Sequence, residues 1–94
     1  MSLTQRAILK EALKKYGEPN QLNMLKEECA ELIVAISHFQ REREASPVKI
    51  AEECADVEIL IDQFKTVPRF ERLVKNKKLE KLKRLMNNLK KKLS

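Results

Sequence analysis

The sequence predicts an all-α fold, an antiparallel helical bundle completed by association with further copies of itself. Three observations predict it. Leu, Lys and Glu dominate a chain that has one glycine, Gly17, and only 4% aromatic residues, a composition of helix formers. Apolar residues recur at spacings of 3 and 4 over long stretches, with no alternating strand pattern in competition. Finally, 94 residues make a single domain, and a chain so short buries only about two-thirds of its unfolded surface, so packing between copies is an expected supplement.

The first helix is expected over about 3 to 15, capped by Ser2 or Thr4 and closed by Gly17 and Pro19. The second starts near Asn20 and runs to about Glu44, with Leu22, Leu25, Cys29, Leu32, Ile36 and Phe39 forming one continuous apolar seam. Ser46 followed by Pro47 is a strong start signal, an N-cap with proline at the first helical position. The third helix then covers about 47 to 66, and its seam of Ile50, Cys54, Val57, Ile61 and Phe64 matches that of the second. Pro68 interrupts it. A basic fourth segment, about 69 to 93, sets Leu79, Leu82, Met86, Leu89 and Leu93 among lysines, and Lys75 to Lys78 is where such a helix could break. The link between the second and third helices, Ala45 to Pro47, is short enough to make them antiparallel neighbours.

Several function classes are excluded at once. Phosphate-cradling loops and dinucleotide fingerprints need glycines at fixed spacings, and a single Gly17 cannot supply them. There is no run of eighteen apolar residues and no apolar stretch ahead of a cleavage site, so a soluble cytoplasmic protein without membrane contact is expected. Cys29 and Cys54 form no CxxC pair and lie on the seams, where buried structural thiols are expected. Charge is unevenly placed: residues 1 to 64 hold 8 Lys/Arg against 12 Asp/Glu, and residues 65 to 94 hold 12 against 2.

The acidic hexapeptide EECAEL at 27 to 32 returns as EECADV at 52 to 57. Glu28 and Glu31 are three residues apart, as are Glu53 and Asp56, which places each pair on one helix face with Cβ atoms about 5–6 Å apart. Each of the four immediately precedes a seam residue, so both pairs flank their seams on the same rotational side. If the two helices pack antiparallel through those seams, the pairs can approach each other at the edge of the core. Each close like-charge contact there costs on the order of several kcal/mol at partly buried dielectric values, and a divalent cation is the simplest compensation. An all-oxygen ligand set suits Mg²⁺, with Mn²⁺ as a substitute. The di-iron pattern Glu-x-x-His is not met, because His38 lies seven residues from Glu31.

The arrangement Glu27-Glu28-x-x-Glu31 followed by Glu53-x-x-Asp56-Val57 resembles the EExxE and ExxD signature of the MazG-like all-α NTP pyrophosphohydrolases. The flanks QLNMLKEECAELIVAI, EECADVEILIDQFK and KLEKLKRL resemble small bacterial and phage members, so the likeness covers about Asn20 to Leu85. It implies Mg²⁺-dependent cleavage of a nucleoside triphosphate between the α and β phosphates, by a homodimer or homotetramer. Glu28, Glu31, Glu53 and Asp56 would be the metal ligands. Glu27 would orient or deprotonate the attacking water, or add an outer ligand. The family also supplies a lysine, often with an asparagine one turn later, from the segment after ExxD; here Lys78 and Lys81 are the candidate phosphate contacts, although Leu82 stands where the asparagine would be. Gln21, Asn23, His38 and Phe39 could reach a base, and none names the nucleotide.

The alternative reading is a non-catalytic helical module whose basic last third binds nucleic acid or a protein partner. Nucleic acid is disfavoured, because the tail is no Arg-rich recognition helix and its lysines have a duty toward triphosphate.

Overall fold

The computed structural model describes residues 1–42 and 46–93. It is all-α, with four helices: α1 (Leu3–Tyr16), α2 (Glu18–Arg41), α3 (Pro47–Phe64) and α4 (Pro68–Leu93), and no strand among the described residues. Local chemistry sets the ends. Ser2 caps α1 through a capping box: its hydroxyl accepts from the Gln5 N–H at 3.0 Å, and the Gln5 side chain accepts from the Ser2 N–H at 2.9 Å. Gly17 then takes φ +85°, a left-handed backbone that glycine alone adopts without strain, and turns the chain directly into α2. That helix starts two residues earlier than the sequence suggests, because Pro19 falls in its first turn, where a missing N–H costs nothing. Ser46 caps α3 by accepting from the Val48 N–H at 3.1 Å. The expected end of the second helix at Glu44, and Ala45 in the link, lie outside the described residues.

The closest packing is α2 on α3, with α1 lying against both. The pair is antiparallel: Gln21 at the start of α2 donates to Gln63 at the end of α3 (Nε2 to Oε1, 2.7 Å), while Glu28 meets Glu53 and Asp56. Its contact line differs from the expected seam. The buried residues are Gln21 and Ala35 on α2 and Glu53, Leu60, Gln63 and Phe64 on α3. Each of Gln21, Glu28, Ala35, Glu53 and Leu60 precedes a seam residue, so the line of closest approach is turned by about one residue, roughly 100° of helix. Leu25, Leu32, Val57 and Phe64 are shared by both lines.

The consequence is an uncovered apolar flank. Leu22 (46% exposed), Ile33 (64%) and Ile36 (37%) face outward on α2, and Phe39 is 38% exposed near the hairpin end instead of in the core. The cysteines follow the same correction: Cys29 is exposed and Cys54 half-buried, because each lies one position past the contact line. In an antiparallel pair an equal rotational offset puts both sets on the same side of the hairpin. Leu22, Cys29 and Ile36 are exposed on α2, and Cys54 and Ile61 half-buried on α3.

The fourth helix continues without a break through Lys75 to Lys78. It is tied to the body near its start, where Arg6 Nη1 meets Glu71 Oε2 at 3.0 Å and the Phe64 and Phe70 rings stack edge to face at 6.2 Å. From Lys75 to Lys91 every side chain is exposed. This projection gives a radius of gyration of 16.6 Å, against about 12 Å for a compact chain of this length.

Candidate metal centre

Midway along the α2/α3 hairpin the two hexapeptides face each other. Glu28, Glu53 and Asp56 each offer a carboxylate oxygen, and these atoms lie within 4.8 Å of one another. Three of the four expected ligands are thus brought together. Glu31, one turn beyond Glu28, lies outside this close triad and lines the adjoining cavity with Glu53. Glu27 is exposed and belongs to neither group.

Burial is what separates this cluster from an ordinary acidic surface. Glu53 is 4% exposed, half of its carboxylate satisfied by Lys49, whose Nζ lies 2.9 Å from Oε1. Its second oxygen, Oε2, is buried without a hydrogen-bond partner, and so is Oε2 of Glu28. Orphaned buried acceptors are rare because each costs its desolvation penalty. Two orphaned carboxylate oxygens in one cluster of hard ligands fit a divalent cation such as Mg²⁺.

The electrostatics point the same way. Burial, then the nearby charges of Glu31, Asp56 and Glu53, push Glu28 from its ordinary 4.5 up to about 7. Glu53 is shifted down, chiefly by its hydrogen bond from Lys49. The two shifts act on stability in different windows. For Glu28 the folded chain binds the proton more tightly, so its contribution is fully present below pH 4.5 and lost as pH rises through about 7. For Glu53 the contribution is present above its ordinary value and is lost as pH falls through its depressed one. Metal-free protein should therefore melt at progressively lower temperature as pH is raised from 4.5 to 7, and saturating Mg²⁺ should abolish that slope. Thermal unfolding across this range, with and without chelator, measures it; a flat metal-free profile would show that Glu28 is not held protonated.

A cavity of about 530 Å³ opens beside the cluster, lined by Glu31, Val34, Ala35, His38, Ser46, Lys49 and Glu53. His38, one of the expected base contacts, lies in its wall. Gln21 is instead spent on its buried bond to Gln63. Lys78 and Lys81 are exposed on α4, and Lys78 lines a separate depression with Lys65, Glu71 and Lys75. Sequence reasoning missed Lys49, because the net charge drew attention to the tail; the signal was the four-residue spacing from Lys49 to Glu53, which pairs side chains on one helix face.

No family model, no curated protein and no solved structure matches the chain. Among the described residues no helix is long and apolar enough to cross a membrane.

Proposed function

We propose that this chain is a Mg²⁺-dependent nucleoside triphosphate pyrophosphohydrolase of the MazG-like kind, cleaving between the α and β phosphates to give a nucleoside monophosphate and pyrophosphate. The observation that carries the reading is the pair of orphaned carboxylate oxygens of Glu28 and Glu53, within a triad completed by Asp56 and open to a nucleotide-sized cavity. Mg²⁺, when bound, supplies charge neutralisation on the triphosphate and a more acidic water.

The remaining work falls to the chain's own groups. Glu28, Glu53 and Asp56 would hold the metal, joined by Glu31 from the cavity wall. Water adds to the α-phosphorus, the bond to the bridging oxygen breaks, and pyrophosphate leaves with that oxygen. Glu27 either takes or orients the proton of that water, or adds an outer ligand. Val34, Ala35 and His38 present a largely apolar wall suited to the nucleoside. Housekeeping of the nucleotide pool is the role this chemistry suits.

A homodimer or homotetramer belongs to the same proposal. Only Ala35, Leu60 and Phe64 are buried apolar residues among those described, while the Leu22, Cys29 and Ile36 flank stands uncovered, and a second copy presenting the same flank would close it. Among the described residues no α4 lysine lines the carboxylate cavity, so a phosphate contact from Lys78 or Lys81 would require such an assembly.

The test is pyrophosphate release from a panel of ribo- and deoxyribonucleoside triphosphates, dUTP included, with Mg²⁺ and with chelator. Metal-dependent release from at least one nucleotide is expected. Silence across the panel from folded protein that binds Mg²⁺ would overturn the activity. The second reading, a basic binding module, is favoured by one observation, the exposed α4 surface; it predicts salt-sensitive binding of duplex that disappears when residues 75–94 are removed.

A further inference from the structure

We infer that Lys49 is a displaceable internal cation of the carboxylate cluster: without metal it neutralises Glu53, and once a divalent ion takes that carboxylate its ammonium turns to the phosphates of the nucleotide in the same cavity. The inference rests on the metal-dependent reading above and assigns the phosphate contact to α3 rather than to the tail lysines.

The geometry is asymmetric. The Glu53 side chain is 5% exposed and fixed in place, whereas the Lys49 side chain that meets it at 2.9 Å is 64% exposed. The acceptor is buried and the donor stands at the mouth on a flexible four-carbon stem, so the ion pair can open without unpacking anything. Lys49 also has a second, looser carboxylate at 3.9 Å, Glu52 Oε2. One ammonium cannot satisfy the cluster: it occupies one oxygen of Glu53 and leaves Oε2 of both Glu53 and Glu28 without partners. A doubly charged ion serves the same oxygens better, and the lysine is then released beside an anion-accepting space.

That space is suited to an anion on its α3 side. Among the described residues that line the cavity Lys49 is the one cation besides the imidazole of His38, and Lys78 and Lys81 are not among them. Ser46 and Lys49 bring the N-terminal turn of the 18-residue α3 into the same wall, so the positive end of the helix lies there as well. A triphosphate entering this cavity meets both.

The experiment compares Lys49→Met and Lys49→Arg with the unaltered protein, using Mn²⁺ alone and then a non-hydrolysable α,β-methylene nucleoside triphosphate in saturating Mn²⁺, both by calorimetry. Lys49→Met should bind Mn²⁺ several-fold more tightly, since a competitor for Glu53 is gone. It should bind the analogue about tenfold more weakly, the scale of one charge-assisted hydrogen bond, and Lys49→Arg should recover part of that loss. Opposite signs for metal and nucleotide are not what a merely structural lysine produces. Equal weakening of both, or analogue binding that Lys49→Met leaves untouched, overturns the assignment of Lys49 alone. Unaltered protein that binds Mn²⁺ but no triphosphate analogue overturns the enzymatic reading together with the nucleotide half of this one.

Discussion

Glu53→Gln is expected to abolish both the stabilisation by Mg²⁺ and the metal-dependent release of pyrophosphate. In the unaltered chain, Mg²⁺ at about 100 times its dissociation constant should add about 2.7 kcal/mol, because it binds only the folded state. For a domain of this size that raises the melting temperature by roughly 10 to 20 °C. Among the described acidic residues Glu53 is the most buried, and it carries one of the two orphaned oxygens, so its replacement removes a group that no water can easily restore. Loss of groups that merely support metal ligands costs about 10- to 100-fold; a direct ligand should cost at least about a hundredfold in activity. Asp56→Asn should follow with a smaller effect, since Asp56 is exposed and its place is more readily taken by water. Glu27→Gln divides the open roles of that residue: activity lost with the Mg²⁺ shift intact marks it as acting on the water. A Glu53→Gln protein that kept both its Mg²⁺ shift and its turnover would remove the cluster from consideration as the metal centre.

If the chain self-associates through the flank as proposed, Ile36→Asp is expected to yield monomers. Ile36 is 37% exposed and follows Leu22 and Cys29 along the same flank of α2. Burying an isoleucine is worth about 1.5–3 kcal/mol, and in a two-fold interface the change is made twice. Association should weaken by roughly 10² to 10⁴. Sedimentation or light scattering at micromolar concentration reads the result, with Glu11→Ala as a control on the exposed surface of α1. Unaltered protein that is monomeric at those concentrations would refute self-association through this flank.

Much of the fold was legible because its signals are local. Ser2 with Gln5, Gly17, Ser46 with Pro47, and Pro68 each act within one turn of helix, and each helix begins or ends beside one of them. Pro19 was misread as a boundary because proline is compatible with both the end of one helix and the first turn of the next. The acidic site was legible for a different reason: two ExxE-type pairs beside matching seams on antiparallel neighbours can approach each other, and the register of α2 on α3 brings Glu28, Glu53 and Asp56 together. The motif groups Glu31 and Glu27 with the others; Glu31 stands beside Glu28 in the cavity wall, and Glu27 alone is turned away onto the exposed surface.

The sequence by itself determined four helices, an α2/α3 hairpin and the two acidic pairs that flank its seams. Tertiary structure alone decided which edge of each apolar stripe would be buried. Helical periodicity defines a stripe some 100° wide, and that width accommodates two contact lines one residue apart. The line that α2 and α3 adopt passes through the small Ala35, which permits close approach, and through the Gln21 and Gln63 amides, which satisfy each other in the interior. Cys29, Ile36 and Leu22 are consequently turned outward. The same choice buries Glu53 beside Lys49, and so decides which cation stands next to the carboxylates: the nearest one on its own helix, held by a bond of 2.9 Å, ahead of a tail with far more charge but no packing to bring it there.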